Sequence, residues 1–271
     1  MERQDYVELA KTAWNEAAPV HWRVTHTMLD EIKDPEHEFI HAIQVDELAR
    51  IGIRGARVAH LNCNNGRETI AMRRLGAASC VGFDIAEGFI EQARQLADAA
   101  AVGNCTFVCS DVYQLGAEYD NAFDLVVITA GAIAFMPDLE AYFSVARRLL
   151  RDNGKLTVYD AHPVTRIFLK DRDRKNRPLE IVQSYFSNAP VQHDTGLDYQ
   201  GGTTYEASPV YYFQHTLGDV VTACVRAGFA VEKLSEHDRD PSQARSSLEQ
   251  LKAKLPLSYI LTCSPRAAAG S

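Results

Sequence analysis

Three polar positions, each at the end of a predicted strand, carry the side chains with the clearest chemistry. VAHL is followed by the loop Asn62–Gly66, VGFD ends in Asp84, and TFVCSD ends in Asp111. A carboxylate that closes the second strand of an α/β unit can accept hydrogen bonds from both hydroxyls of a ribose. A carboxylate that closes the third strand can accept from an exocyclic amine such as that of adenine. The alternative is that these carboxylates only cap the next helix or occupy a solvated turn.

The elements that position these residues alternate along the chain. Apolar runs predict strands at 58–61, 80–84, 105–109, 123–129 and 155–160. Apolar residues at helical spacing predict helices at 67–75, 88–101 and 139–150, with Asp138 as the N-cap of the last and a turn at RDNG after it. Strands separated by helices form right-handed βαβ units around a parallel sheet, and ligands bind beyond the carboxyl ends of its strands.

The remainder of the chain has a different pattern. Residues 161–213 show no strong helical period and are rich in tyrosine and phenylalanine. HTLGDVVTACVRAGF then predicts a helix that ends at Gly228, and AVEKLSE and LPLSYILTC predict two strands that pair antiparallel. RIFLKDRDRKNR, Arg166–Arg177, is a local cluster of basic residues. It is either a solvated surface segment or a clamp for an acidic substrate.

Composition narrows the class of protein. The chain has 271 residues, 46% of them hydrophobic, which suits one core with insertions. A net charge of −8 argues against general nucleic-acid binding, because such proteins need a basic face. No apolar run has membrane-spanning length and the N-terminus does not resemble a secretory signal, so a cytoplasmic protein without a membrane partner is expected. The six cysteines include no CxxC pair, so neither a metal site nor disulfides are expected.

The order of four segments resembles the class I S-adenosylmethionine-dependent methyltransferases, and among them a bacterial small-molecule branch. The segments are VAHLNCNNG, GFDIAEGFIEQAR, CSDVYQL and FDLVVITAGAIAFMPDLEAYFSVARRLLRDNGKL. The resemblance implies an α/β, Rossmann-like sheet of seven strands, mostly parallel with the last strand antiparallel, and helices on both faces. Within a single domain, 1–271, it implies a helical lid at 1–50, a cofactor-binding core at 51–160, a substrate-wall insert at 161–213, and a C-terminal helix and strand pair at 214–271.

The resemblance also implies the cofactor, S-adenosylmethionine, with S-adenosylhomocysteine as its product, and the residues that bind it. The expected cofactor residues are Trp14, His21, Asn62, Cys63, Asn64, Gly66, Asp84, Ile85, Asp111, Val112, Thr129 and Ala130. The expected substrate residues are Tyr6, Trp22, Ile133, Tyr185, Phe186 and Tyr212. Aromatic faces near a sulfonium gain cation–π attraction. The alternative for the two tryptophans is a place in the core of an N-terminal helix pair.

The first loop departs from the family pattern. The family places an acidic residue at His60 and glycines at Asn62 and Asn64, and only Gly66 is retained. Asparagine is the side chain that best tolerates left-handed backbone, so Asn64 and Asn65 are expected to hold the turn. Their bulk should exclude a pyrophosphate, which disfavours a dinucleotide cofactor. The loss of the acid leaves His60 without a role and the amino group of the cofactor without a partner.

The mechanism follows from the donor, whose methyl group is already activated. The enzyme must align the acceptor and exclude water, and it needs a base only if the acceptor arrives protonated. The candidate bases are His162, His215 and His21, each with a structural role as the alternative. We expect a monomer or homodimer that methylates nitrogen or oxygen of a small aromatic or heteroaromatic metabolite. The alternatives are an RNA or tRNA methyltransferase and a non-catalytic cofactor-binding relative.

Overall fold

A seven-stranded sheet forms the centre of the molecule. The computed structural model describes residues 1–24, 27–174, 177–187, 189–198, 202–242 and 244–266. Its strands are β1 (Arg57–Leu61), β2 (Ser79–Asp84), β3 (Cys105–Cys109), β4 (Phe123–Ile128), β5 (Leu150–Ala161), β6 (Val191–His193), β7 (Val210–Tyr212), β8 (Phe229–His237) and β9 (Ser258–Pro265). The sheet order is β3-β2-β1-β4-β5-β9-β8, and β6 pairs with β7 in a separate hairpin.

The strand directions confirm the predicted fold class. β1 pairs parallel with β2 and β4, and β5 continues the parallel set beside β4. The last strand, β9, is antiparallel to both neighbours and lies between β5 and β8. The order reverses direction at β1, so the crevice above β1 and β4 is the topological switch point where ligands of such sheets bind.

Helices cover both faces of the sheet. They are α1 (Arg3–Val24), α2 (Met28–Glu31), α3 (Ala42–Arg50), α4 (Arg67–Arg74), α5 (Glu87–Ala99), α6 (Leu139–Leu149), α7 (Asp171–Arg174) and α8 (Leu217–Arg226). Apolar residues of α6 and α8 pack on one face of the sheet, and those of α3, α4 and α5 pack on the other. Asp138 caps α6 as predicted, since its carboxylate accepts from the backbone N–H of Ala141 at 2.9 Å.

Two expectations need correction. The RDNG segment does not separate α6 from the next strand; it lies within β5, where the pairing with β4 shifts register between Phe123 and Leu125. The N-terminal region is not a uniform lid. α1 packs on α5 and on β7, whereas α3 lies against the sheet, with Leu48 and Ile53 in the same cluster as Val58. α1 and α3 therefore contact different parts of the molecule.

The insert consists of short elements around the hairpin. A 3-10 helix at Pro163–Ile167 precedes α7, and an isolated antiparallel bridge joins Phe168 to Ile181 before β6 and β7. Lys175 of the basic segment lies outside the described residues. Within the described ranges, every helix is too short or too polar to cross a membrane.

Candidate cofactor and acceptor site

The loop after β1 adopts left-handed backbone at alternate residues. Asn62, Asn64 and Gly66 have φ values of 56°, 51° and 74°. Asn65, which was expected to share the strain, is not among the positive-φ residues; it is buried, and its Nδ2 lies 3.3 Å from Met28 Sδ. The two strained asparagines therefore stand at the two positions where the family has glycine.

Gly66 is the one loop position where no side chain fits. A Cβ there would lie 2.5 Å from the Phe107 ring and 2.7 Å from Cβ of Ala93. Both neighbours belong to the packed layer between the sheet and α5, so they cannot move aside cheaply. Asparagine can replace glycine where only positive φ is required, as at Asn62, whose Oδ1 accepts from the hydroxyl of Tyr142 at 2.7 Å.

Asp84 closes β2 beside this loop. Its Oδ2 accepts from the backbone N–H of Asn64 at 2.8 Å, and its Oδ1 accepts from that of Ala86 at 3.0 Å. Burial raises the pKa of this carboxyl group, and the backbone donors oppose the shift. The backbone N–H of Ile85 is a third donor to this carboxylate, which has about four lone-pair positions. Asp84 thus holds the loop and retains capacity to accept from a ligand hydroxyl.

Asp111 closes β3 and begins a 3-10 helix at Val112–Gln114. Its Oδ1 accepts from the backbone N–H of Tyr113 at 3.0 Å, and its Oδ2 accepts from Nε2 of Gln114 at 3.1 Å. Burial raises the pKa of the Asp111 carboxyl group. The carboxylate is half-buried, so it caps the helix and also faces the edge of the sheet. Val112 beside it is buried in the core.

His60 occupies the place of the family's acid as a buried, neutral side chain. Burial lowers its pKa to about 3. Its Nδ1 lies 2.7 Å from Oγ1 of Thr69, and its Nε2 lies 3.0 Å from Oγ1 of Thr129. Thr129 in turn donates to Oε2 of Glu68 at 3.2 Å. Since Thr129 has one proton and donates it to Glu68, Nε2 of His60 donates to Thr129. His60 therefore orients Thr129, and through it Glu68.

The turn after β4 is held by a second buried carboxylate. Asp160, at the end of β5, accepts from the backbone N–H groups of Gly131 at 2.7 Å and Ile133 at 3.2 Å. Burial raises the pKa of this carboxyl group, and nearby Arg166 opposes the shift. Ile133 was expected in the substrate wall; its side chain is buried, and Ala130 at the start of the turn is exposed. The sequence analysis missed Asp160, although it follows the same rule of a polar residue at a strand end.

An aromatic wall crosses from α1 to the hairpin. The Trp14 ring lies 5.9 Å from Phe89 and 5.1 Å from Phe135, between ring centroids. Phe135 lies 4.7 Å from Tyr212 of β7. Phe135 belongs to a 3-10 helix, Ile133–Phe135, directly after the turn at β4. The wall therefore begins at the carboxyl edge of the sheet and ends in the insert.

Polar contacts fix α1 over the core. The side chain of Asn15 accepts from the backbone N–H of Gly88 at 3.2 Å. On the other side, Glu16 accepts from both the backbone N–H and the hydroxyl of Ser208, at 2.8 and 2.6 Å. α1 is thus joined to the cofactor core and to the insert, as a lid requires.

The three candidate histidines differ in the hydrogen bonds that their ring nitrogens form. His162 has both ring nitrogens engaged, with Nδ1 accepting from the backbone N–H of Val164 at 3.1 Å and Nε2 3.0 Å from Glu236. It caps a 3-10 helix, which leaves no nitrogen for an acceptor. His21 is buried, and its Nε2 donates to the carbonyl of Leu197 at 2.8 Å. Burial lowers the pKa of both rings.

His215 differs because one of its nitrogens has no partner among the described residues. Its Nε2 donates to the carbonyl of Met136 at 2.8 Å, so Nδ1 carries the lone pair. Burial lowers the pKa of His215, which keeps the ring neutral at pH 7. It lines a cavity of about 480 Å³ with Tyr6 and Phe213. Tyr6 packs edge-on against Tyr211 and Phe213, on the face of the β7 segment opposite to Tyr212.

Some predicted residues lie elsewhere. Trp22 packs with the cluster beneath the first loop, which includes Cys63, so the Cys63 side chain is core and only its backbone can face a ligand. Tyr185 packs in a separate small core, and its hydroxyl accepts from the backbone N–H of Leu217 at 3.0 Å. Phe186 is 76% exposed. These three aromatic residues do not join Tyr212, because the insert forms more than one cluster.

The sheet order, with polar side chains at the carboxyl ends of β1 to β5, defines a Rossmann-like methyltransferase fold. Residues 58–154 match the family described as "Methyltransferase domain". An S-adenosylmethionine dependent methyltransferase from Mesorhizobium loti superposes with a TM-score of 0.59 at 20% identity, over 81% of this chain and 96% of that one. Residues 58–154 thus match a methyltransferase domain, and the chain has the fold of S-adenosylmethionine-dependent methyltransferases.

Two further relatives show how widely the acceptor varies. A ubiquinone biosynthesis O-methyltransferase from Neisseria meningitidis serogroup C is 31% identical over 102 residues, which are 38% of this chain and 42% of that protein. Geranyl diphosphate C-methyltransferase from Streptomyces coelicolor A3(2), crystallised with Mg²⁺, geranyl diphosphate and S-adenosylhomocysteine, superposes with a TM-score of 0.55 at 12% identity, over 83% and 79% of the two chains. The chain thus spans less than half of the curated relative, and the fold alone does not define the acceptor.

Proposed function

We propose that the protein transfers the methyl group of S-adenosylmethionine to nitrogen or oxygen of a small aromatic metabolite. The observation that supports this best is the convergence of Asp84, Asp111 and Thr129 with the aromatic wall at one edge of the sheet. The edge offers acceptors for a nucleoside, and the wall begins directly beside it. α1 covers this edge and would exclude water from it.

The side chains at the edge fit the cofactor's polar groups. In this proposal Asp84 accepts from the ribose with its remaining lone pairs, and Asp111 accepts from the adenine amine. The backbone of the loop Asn62–Gly66 would border the methionine part. When bound, the cofactor supplies an activated methyl group, so the chain's own residues have to orient the acceptor and exclude water.

We further propose that Glu68 binds the cofactor's amino group in place of the family's missing acid. Glu68 lies in the first turn of α4, directly after the loop, and accepts from Thr129 at 3.2 Å. Burial raises the pKa of its carboxyl group, whereas Arg67 and Thr129 oppose the shift. A bound ammonium group would stabilise the ionised form further. In this proposal His60 is a positioning residue, since it acts through Thr129.

The acceptor is placed on the Tyr212 face of the β7 segment, where Trp14 and Phe135 form the wall. On that face an acceptor that arrives as an anion or a neutral amine needs no base. His215 supports a second arrangement, in which an acceptor enters through the cavity and Nδ1 takes its proton. Loss of turnover in Tyr212→Leu but not in His215→Gln favours the first arrangement, and the reverse result favours the second.

The alternatives remain distinguishable. An RNA or tRNA methyltransferase would have to bind phosphates with a net charge of −8. A non-catalytic relative would bind S-adenosylmethionine without forming S-adenosylhomocysteine.

We propose a cytoplasmic monomer or homodimer that acts on a secondary metabolite.

The proposed function is tested in two steps. Calorimetric titration with S-adenosylmethionine, S-adenosylhomocysteine and NAD should give micromolar binding of the first two and none of NAD. Release of S-adenosylhomocysteine is then followed by mass spectrometry across a panel of phenols, aromatic amines and heterocycles. Binding of NAD alone would refute the assignment of the loop, and cofactor binding without product from any acceptor would favour the non-catalytic relative.

A further inference from the structure

Lys170 is a half-buried cation of the insert. It lies between the 3-10 helix Pro163–Ile167 and α7, and its side chain is half-buried. Among the described residues, its ammonium group forms neither a hydrogen bond nor an ion pair. Its Nζ lies over the face of the Tyr212 ring, 6.0 Å from the centroid. A half-buried ammonium group usually forms hydrogen bonds through its three N–H donors. The ammonium group of Lys170 can therefore donate to an acceptor that binds beside it.

Three guanidinium groups surround the same place. Arg166, Arg172 and Arg245 all lower the pKa of Tyr212, against the larger effect of burial, which raises it to about 12. Burial and the same three arginines lower the pKa of Lys170 to about 8. Like charges gathered in a half-buried place repel one another, and this repulsion is relieved when an anion binds between them.

The nearby carboxylates balance this cluster only in part, since the buried Asp160 lies near Arg166 but accepts from the backbone N–H groups of Gly131 and Ile133. Asp171 is shared between Arg174, at 3.4 Å, and Ser247, and Asp240 accepts from backbone N–H groups and Ser242. Asp173 lies 3.7 Å from Arg172 but is 54% exposed. Within the described ranges, the side-chain nitrogens of Arg166, Lys170 and Arg245 form no ion pair within 4.0 Å, and Asp240 contacts Arg245 through the backbone N–H. Their guanidinium contacts are to carbonyls, of Phe213 for Arg166 and of Phe168 for Arg245.

We propose that Lys170, with Arg166, Arg172 and Arg245, binds an anionic group of the methyl acceptor. Tyr212 connects this cation cluster to the aromatic wall, since its ring contacts both Lys170 and Phe135. Phe135 in turn follows the turn at the end of β4. An acceptor whose aromatic ring lies along the wall would place a carboxylate or phosphate at the cluster and its nucleophile at the edge of the sheet. The inference rests on the proposed function and specifies its substrate as an aromatic acid.

A small acid fits the cluster better than a nucleic acid. Lys170 is half-buried behind the hairpin, and the Arg172 side chain is only 36% exposed. A nucleic-acid surface presents its cations to solvent along an extended track, because phosphates repeat along the backbone. The cluster is instead local, and the whole chain is acidic.

The test compares ligands that differ in charge only. Calorimetry on the full chain, with saturating S-adenosylhomocysteine, measures the affinity of 4-hydroxybenzoate and of 4-hydroxybenzamide, with phenyl phosphate as the phosphate probe. We expect the acid to bind about tenfold to a hundredfold more tightly than the amide. Lys170→Met should remove most of this preference, Lys170→Arg should restore part of it, and Lys252→Met, a matched change at an exposed lysine, should leave it intact.

The outcomes separate this inference from the proposed function. Equal affinity for acid and amide in the wild-type protein, or an undiminished preference in folded Lys170→Met, overturns the inference. Competition by a single-stranded RNA oligonucleotide stronger than that by phenyl phosphate would also overturn it and favour an RNA substrate. S-adenosylmethionine binding without a preference for acids refutes the inference alone. A preference for acids without S-adenosylmethionine binding refutes the proposed function alone.

Discussion

At the scale of single residues, the loop after β1 shows which glycines of a motif can be replaced. Asn62 and Asn64 adopt positive φ where their half-buried side chains find hydrogen-bond partners, and asparagine tolerates this backbone. Gly66 also has positive φ, but a Cβ there would collide with Phe107 and Ala93. Asparagine is tolerated where the backbone needs only a positive φ. Glycine is required where, in addition, a Cβ would collide with its neighbours. This difference explains why the chain retains one glycine of the three.

Asp84 is predicted to contribute to cofactor affinity. In the proposed function Asp84 accepts charge-assisted hydrogen bonds from the ribose, so in Asp84→Ala S-adenosylmethionine should bind at least about 30-fold more weakly, a loss of about 2 kcal/mol. Calorimetry measures the change. Asp98→Ala, an exposed position on α5, serves as the control. Unchanged affinity in a folded Asp84→Ala variant would show that this carboxylate serves only to hold the loop.

His60 is predicted to make folding sensitive to acid. Its folded pKa is about 3, below the ordinary value of 6.5. Between these values the unfolded chain binds a proton that the folded chain does not, so the neutral ring's contribution is complete above pH 6.5 and is lost as pH falls toward 3. His60→Gln retains a donor and an acceptor and should reduce the slope of unfolding free energy in this window by up to about 1.4 kcal/mol per pH unit.

Urea unfolding at several pH values measures this slope. The exposed His37 provides the control, through His37→Gln. A slope identical in the wild type and in His60→Gln would contradict the assignment of a buried, neutral ring.

At the scale of elements, the contact between α1 and α5 depends on small residues. A Cβ on Gly88 would lie 2.7 Å from Cβ of Ala18. Alanine within a helix normally stabilises it by about 0.5–1 kcal/mol relative to glycine, so a loss in Gly88→Ala has to come from the collision. We expect the free energy of unfolding to fall by about 1–3 kcal/mol and cofactor binding to weaken, because α1 is displaced from the core.

Gly103→Ala is the matched control, since a Cβ there meets nothing within 4 Å. Thermal unfolding and limited proteolysis of α1 compare the two variants. If Gly88→Ala were as stable and as resistant to protease as Gly103→Ala, α1 would not be held by this contact.

At the scale of the whole molecule, Glu47 joins α3 to the two C-terminal strands. Its carboxylate accepts from Arg50, from Lys233 of β8 at 2.8 Å and from Thr262 of β9. Burial alone would raise its pKa, but these donors outweigh burial and lower it to about 2. The contribution to stability is therefore complete above pH 4.5 and is lost as pH falls toward 2.

Glu47→Gln should lower the free energy of unfolding at pH 7 by about 1–3 kcal/mol, because two cations lose their partner. It should also flatten the pH dependence below pH 4.5. Asp30→Asn breaks the exposed pair with Lys33 and should leave the melting temperature unchanged. Equal melting temperatures for all three proteins would show that the link does not stabilise the fold.

Much of the fold and part of the site follow from local pattern. The apolar runs of β1 to β4 and the stripe of α6 are set by near neighbours in sequence, so their position was predicted within a residue or two. The turn expected at RDNG lies instead within β5, as an irregularity where the partner of β4 changes from Leu150 to Lys155. Cap and strand-end positions such as Asp138, Asp84 and Asp111 could also be predicted from the sequence, because they depend on a few adjacent residues.

The sequence by itself determined the class of protein, because βαβ periodicity and polar strand ends are local properties. The tertiary structure decided which residues of the site meet. Phe135 and Tyr212 are separated by 77 positions, and Lys170 and Arg245 by 75, and no spacing rule connects them. It also decided that His162 is a cap, that His215 keeps a free nitrogen, and that His60 is neutral. Hydrogen-bond partners and burial fix those properties, and both arise only when distant segments pack.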